Sequence, residues 1–188
     1  MKRIVIFASG SGTNAENLIK FFHNRENASV IHVLTNNPHA KVLDRAKKLK
    51  VSALSFNKIA FTETDAVLNI LKSAKPDLIV LAGFLWKFPD HILNEFPNKV
   101  INIHPALLPK YGGKGMYGMH VHEAIVSNKE TETGITIHYV NEQYDEGAII
   151  FQAICSVKAT DSAQDVADKI HELEMENFPK VVEKLLNE

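Results

Sequence analysis

A single cysteine, Cys155, occurs among 188 residues, so no intrachain disulfide can form and cysteine-rich zinc sites are excluded. Cys155 lies in the apolar run Ala148–Val157, a setting that keeps a thiol buried and inert. Long hydrophobic stretches are also missing, and none approaches the roughly 18 residues that a membrane span requires. The apolar part of Met1-Lys2-Arg3-Ile4-Val5-Ile6-Phe7 is too short for a secretory signal. A cytoplasmic location without membrane attachment is therefore expected. Charge of one sign is lacking as well. Lys and Arg number 21 against 22 Asp and Glu, giving a formal net charge of −1 with no long basic run. Surfaces that bind nucleic acid or membrane without specificity need clustered cations, so neither is expected as a partner. A local site for a small anion needs no global charge and stays open. Internal repeats, low-complexity tracts and interdomain linkers are absent too. With 45% hydrophobic and 23% charged residues, the length suits one globular domain over residues 1–188.

What is present alternates strand with helix. Ile4–Ala8 is a short apolar strand that runs into Ser9-Gly10-Ser11-Gly12-Thr13-Asn14 and then a helix, with Thr13 and Glu16 at capping-box spacing. Strand, glycine turn and helix amino terminus together make an anion site, because glycine lets the backbone approach and the first N–H groups are free. The third glycine of the dinucleotide fingerprint is missing, and the next strand, Val30–Thr35, ends in Asn36-Asn37-Pro38 without an acidic residue. One phosphate fits this turn better than a pyrophosphate. A helix over about Ala40–Lys50, a strand near Val51–Ser55, a helix from Thr62 to Ala74 and a strand at Leu78–Ala82 follow. This alternation predicts an α/β fold with a doubly wound, mostly parallel sheet and right-handed connections. The large apolar groups of Gly83–Pro89 suit either a flat-ring pocket or a cover for the sheet edge. Gly134–Val140 and Ala148–Val157 read as an antiparallel hairpin, and Asp161-Ser162 opens a final long helix in which Pro179 should make a kink.

The run Val100–Lys110 begins as a buried strand and turns at His104-Pro105. Asn102 and His104 are two apart and project from the same face. At the carboxyl end of a strand in an open α/β sheet, where ligands bind, they set a hydrogen-bond donor beside an acid/base group. Alone, the pair is better read as meeting the backbone needs of a tight loop. Gly112–Met119 holds four glycines and reads as a mobile loop, a lid or a partner surface. His120 and His122 stand at i and i+2 on a helix, do not face one another, and predict no metal site.

Asn102-Ile103-His104-Pro105, Leu107-Leu108-Pro109, Gly134–Val140 and Tyr144-Asp145-Glu146-Gly147 change the weight of these signals. With them the chain resembles the phosphoribosylglycinamide formyltransferases, the glycinamide ribonucleotide transformylases of purine synthesis, over essentially its whole length. The resemblance implies a Rossmann-like formyltransferase fold, with a phosphate-binding half over about 1–100 and a folate and catalytic half over about 101–188. It implies transfer of the formyl group of 10-formyltetrahydrofolate, as co-substrate and without a metal, to the amine of glycinamide ribonucleotide. Asn102, His104 and Asp145 then form the catalytic trio. Gly12, Thr13 and Asn14 hold the substrate phosphate and Glu174 the ribose hydroxyls. Leu85, Trp86, Lys87, Phe88, Asn102, Asn141 and Tyr144 line the folate pocket. The implied partners are these two small molecules, for a monomer or homodimer.

Two departures stand out. Some members of the family carry an arginine before the third helix that contacts the folate's glutamate tail, and Ala60 aligns there, leaving Lys58 or Lys87 for any tail contact. Gly112–Met119 is also longer than the family pattern. Among the relatives, methionyl-tRNA formyltransferase shares the trio but adds a tRNA domain, and formyltetrahydrofolate hydrolase adds an amino-terminal one; this length and opening strand fit neither.

The residue types suit acyl transfer. Attack by the amine creates a tetrahedral oxyanion, to which Asn102 and a protonated His104 are expected to donate, one such donor being worth about 3–4 kcal/mol. Asp145 is expected to raise the His104 pKa above its ordinary value of about 6.5 and is a second acceptor for the amine's proton.

Overall fold

The computed structural model describes all 188 residues, Met1–Glu188. Seven strands form one sheet: β1 (Lys2–Phe7), β2 (Ala28–Thr35), β3 (Ser52–Ser55), β4 (Leu78–Leu81), β5 (Val100–His104), β6 (Glu132–Tyr139) and β7 (Ile149–Ser156). Their order across the sheet is β3-β2-β1-β4-β5-β6-β7. The first five are parallel, and β6 and β7 run antiparallel as the expected hairpin. Chain order therefore reverses between β1 and β4, opening a crevice at their carboxyl ends.

The central strands are apolar throughout because both faces are covered. On β1, Ile4 and Ile6 join one core with α1 (Thr13–His23), α2 (Lys41–Lys48), α6 (Met119–Ser127) and α7 (Ala163–Asn187). Val5 and Phe7 point the other way, into a core shared with α3 (Lys58–Thr62), α4 (Ala66–Ala74) and α5 (Asp90–Glu95). Phe7 centres an aromatic cluster there, with edge-on contacts to Phe84 at 5.4 Å and Phe88 at 5.2 Å. Phe88 is 2% exposed, whereas Leu85 is 49% exposed. The Gly83–Pro89 segment thus both seals the sheet and presents an apolar side chain outward.

Two local expectations are corrected. The capping box at Thr13 and Glu16 does not form. Gly12, in the left-handed region at φ 74°, is the N-cap and no side chain caps the helix. Glu16 is drawn instead to Arg45 and Lys20. The helix foreseen over Thr62–Ala74 begins later, as α4 at Ala66, and a separate short helix, α3, precedes it, started where the Asn57 side chain accepts from the Ala60 N–H at 2.8 Å. Phe61 of α3 and Val67, Leu68 and Leu71 of α4 enter the same core. The helix α7 continues past Pro179. The missing N–H of Pro179 would orphan the Met175 carbonyl, and the Asn17 side chain donates to that oxygen at 2.9 Å. Ser162 caps α7 with a complete capping box closed by Asp165. Cys155 is half-buried on the edge strand β7, and burial pushes its thiol up. No helix is long and apolar enough to cross a membrane.

Candidate active site

Register across the sheet builds the centre of the site. Asn102 on β5 pairs with His138 on β6, and His104 with Thr136. The Asn102 Nδ2 lies 3.1 Å from His138 Nε2, and His138 Nδ1 lies 2.9 Å from the Tyr139 carbonyl oxygen. A carbonyl can only accept, so His138 carries its proton on Nδ1 and its Nε2 accepts from Asn102. The Asn102 amide is thereby fixed, with its second N–H left over.

His104 is buried, 3% exposed. Its Nε2 donates to the Tyr111 carbonyl at 2.7 Å, and its Nδ1 faces Asp145 Oδ2 at 3.7 Å. Tyr111 sits in the left-handed region at φ 56°, and Asp145 does so at φ 57°, a conformation uncommon for side-chain-bearing residues and frequent at functional sites. Tyr111 is anchored at its other end, its hydroxyl donating to Glu130 at 2.9 Å and accepting from Asn128 at 3.0 Å. Asp145 Oδ2 also accepts from the Gly113 N–H at 2.9 Å, and its Oδ1 lies 3.6 Å from His138 Nε2.

The electrostatics revise one expectation. Burial pulls the His104 pKa below 6.5 and outweighs the Asp145 carboxylate and the Tyr111 carbonyl, which both push it up. A buried cation loses more hydration than one carboxylate at 3.7 Å restores. His104 therefore rests neutral near pH 7, with its proton on Nε2 and a free lone pair on Nδ1. Burial also acts on Asp145, pushing it up, but the His138 and His104 imidazoles, where they carry charge, and the Gly113 N–H together hold it below 3.8. It is an anion near neutrality.

Asn102, His104 and Asp145 line a cleft of about 740 Å³ at the carboxyl ends of β1, β4 and β5. At its far end is the Gly10–Asn14 turn. A Cβ at Gly12 would lie 2.3 Å from Val42, so only glycine fits. Asn14 Nδ2 donates to Glu174 Oε2 at 2.8 Å, tying α1 to α7, while Asn14 Oδ1 is buried without a partner. Gly12, Thr13, Asn14, Glu174 and Leu85 all border this cleft, as do Lys114, Met116 and Tyr117 of the glycine-rich loop.

A smaller cavity of about 70 Å³ adjoins it, lined by Trp86, Lys87, Phe88, Asn141 and Tyr144 together with His138 and Val140. Asn102, Asp145, Phe84 and Tyr144 border both spaces. The residues assigned to a folate pocket are thus divided, Leu85 bordering the larger cleft, Trp86, Lys87, Phe88 and Asn141 the smaller cavity, and Asn102 and Tyr144 both. Lys87 is committed to Asp90 at 3.6 Å. Ala60 packs half-buried against the aromatic core and offers no charge.

Sequence reasoning missed His138, whose signal was its strand position opposite Asn102. It also missed the Tyr111 carbonyl, for which a backbone atom leaves no residue-type signal. His122 and His171 border the cleft as well. His122 is buried with Nδ1 unpartnered, and burial lowers its pKa. His171 is half-exposed, 3.8 Å from Glu174 Oε2, which raises it. His120, by contrast, is exposed and pairs with Glu123. No three His, Cys, Asp or Glu side chains are arranged to hold a metal ion.

A neutral imidazole with an open nitrogen, an adjacent carboxylate and an amide N–H suit proton transfer coupled to oxyanion binding. Comparisons agree with that chemistry. The formyl transferase family model matches residues 2–182. A phosphoribosylglycinamide formyltransferase of Bacillus subtilis is 33% identical over 193 residues, covering 99% of this chain and 95% of that protein. A chloroplastic phosphoribosylglycinamide formyltransferase of Arabidopsis thaliana is 32% identical over 193 residues, and the chain spans 66% of that relative's length. Among solved structures, glycinamide ribonucleotide transformylase 1 from Geobacillus kaustophilus superimposes with a TM-score of 0.88 at 33% identity, covering 99% of each chain.

Proposed function

The chain belongs to the formyl transferase family, and we propose that it transfers the formyl group of 10-formyltetrahydrofolate to the amine of glycinamide ribonucleotide. The products are formylglycinamide ribonucleotide and tetrahydrofolate, in de novo purine synthesis. In this reading residues 1–188 act as one formyltransferase domain, and a cytoplasmic location belongs to it. The observation that carries it is the shared wall. Asn102 and Asp145 border both the large cleft, which ends at the glycine turn, and the small aromatic-lined cavity. A phosphorylated acceptor in the first and a pterin in the second meet at these residues.

The steps follow from the resting protonation states. The amine attacks the formyl carbon, and the oxyanion that forms accepts the second N–H of Asn102. His104 Nδ1 takes the proton released by the amine, since Nε2 is held by Tyr111. Asp145, already ionised, stabilises the imidazolium so formed. Collapse of the tetrahedral intermediate returns that proton from His104 to N10 of the folate as the C–N bond breaks. His104 thus serves as a proton carrier that becomes a charged donor only during turnover, rather than as the resting cation expected above.

Release of tetrahydrofolate, followed by absorbance, tests the reading with glycinamide ribonucleotide, tRNA and water as acceptors. Turnover is expected only with the first; rapid release into water alone would make the chain a hydrolase instead. The turn at Gly12, Thr13 and Asn14 is read as the phosphate subsite. The dephosphorylated riboside should then have a kcat/KM lower by about 50-fold, because one or two charge-assisted backbone contacts of about 1.5–3 kcal/mol each are lost. Equal kcat/KM for both acceptors would reduce the turn to a steric device.

Gly112–Met119 is read as a lid. Its Gly113 already donates to Asp145, and Lys114, Met116 and Tyr117 face the cleft. Hydrogen exchange in this segment should slow when glycinamide ribonucleotide and a folate analogue are both added. Unchanged exchange would rule closure out.

A further inference from the structure

The glycine turn is gripped from outside the cleft. The Val42 N–H donates to the Gly10 carbonyl at 3.2 Å, and Arg45 Nε donates to the Ser11 carbonyl at 2.8 Å. Both donors belong to α2. A trans peptide group carries its C=O and N–H on opposite sides. With two successive carbonyls drawn toward α2, the N–H groups that follow them, on Ser11 and Gly12, face away from it. Neither has an acceptor in the protein, although Gly12 is buried. Arg45 itself does not border the cleft. Its guanidinium is held by Glu16 on α1, whose carboxylate also pairs with Lys20. Lys20 and Arg45 keep Glu16 below its usual carboxylate range, so the clamp stays charged near neutrality.

We propose that Arg45 is a positioning residue for acceptor binding: its hold on the Ser11 carbonyl presets the Gly12 N–H as a donor to the substrate phosphate. The inference rests on the reading of this turn as the phosphate subsite. It assigns the Arg45–Glu16 pair a role in specificity rather than only in joining α1 to α2. Without Arg45 the Ser11–Gly12 peptide is free to rotate, and a donor that must be organised at each binding event contributes less to orienting the amine.

The test compares kcat/KM for glycinamide ribonucleotide and its dephosphorylated riboside in the full chain and in Arg45→Met and Arg45→Lys. Melting temperatures are recorded for all three. Wild type defines the phosphate preference, and Arg45→Met should shrink it about tenfold, the scale of a small misplacement away from the chemistry. Arg45→Lys, which keeps a donor and a charge, should recover part of it. If Arg45→Met slows both acceptors equally, or lowers only the melting temperature, Arg45 is a plain helix-to-helix link and the proposal is overturned. A wild type with no phosphate preference would instead overturn the reading of the turn on which the proposal stands.

Discussion

His104→Ala is expected to lower kcat by about 10³-fold, within the range for losing a positioned general base and acid, with folate affinity nearly unchanged. His104 is buried and, in the proposed mechanism, meets the reacting atoms through Nδ1 alone. Its other nitrogen is spent on the Tyr111 carbonyl at 2.7 Å. Alanine therefore removes the proton carrier and nothing that holds the pterin. The loss should appear in kcat and in kcat/KM alike, the signature of an interaction made only on the way to the transition state. Steady-state kinetics with both substrates varied, beside direct titration of a folate analogue, separates the two quantities. A variant retaining more than about a tenth of wild-type kcat would be inconsistent with this role.

Asp145→Asn should lower kcat/KM by about 100-fold, since about 2.7 kcal/mol of support for the developing imidazolium is lost, and it should also move the pH profile. The sign follows from the resting state. His104 works as a base only when neutral, so kcat/KM falls as pH drops through its pKa. Burial holds that pKa below 6.5 against the upward push of the Asp145 charge. Removing the charge leaves burial less opposed, so the His104 pKa falls further and the acidic limb shifts to lower pH. Asparagine tolerates the left-handed backbone found at Asp145, and it keeps an oxygen for the Gly113 N–H. The change is thus largely one of charge. The amine of the acceptor titrates too, but equally in both proteins, so the difference between profiles isolates His104. An unmoved acidic limb, or one displaced upward, would sever the coupling between the two side chains.

The strands and the parallel sheet were legible because each central strand is a short apolar run bounded by glycine, proline or polar residues. The hairpin was legible because Gly134–Val140 alternates. Asn102 and His104 stood out by residue type and spacing, Asp145 only through the family resemblance, and the structure brings all three to one wall. What could not be read was set by atoms far apart in sequence or not in side chains at all. The tautomer of His104 depends on a backbone carbonyl at Tyr111. Its pKa depends on the burial of a whole ring, which outweighed the one charge a sequence makes visible. The short helix α3 was hidden because its five residues bury only Phe61, too little for an apolar periodicity to show. The capping box at Thr13 failed for a related reason: Arg45, 29 residues away from Glu16, competes for that carboxylate.

Pro179 has a consequence for the opposite end of the cleft. Two helices with complete hydrogen-bond ladders meet along surfaces on which neighbouring settings differ little in energy. The gap at Met175 removes that freedom. Asn17 reaches its carbonyl in only one axial and rotational setting of α7 against α1, and Asn14, one turn earlier on α1, then falls opposite Glu174. The proline acts as an index mark: a residue incapable of donating a proton calibrates where, along 25 residues of helix, a carboxylate comes to rest. Restoring an N–H at position 179 would mend the helix locally and blur that calibration, altering the floor of the cleft from a place that no ligand touches.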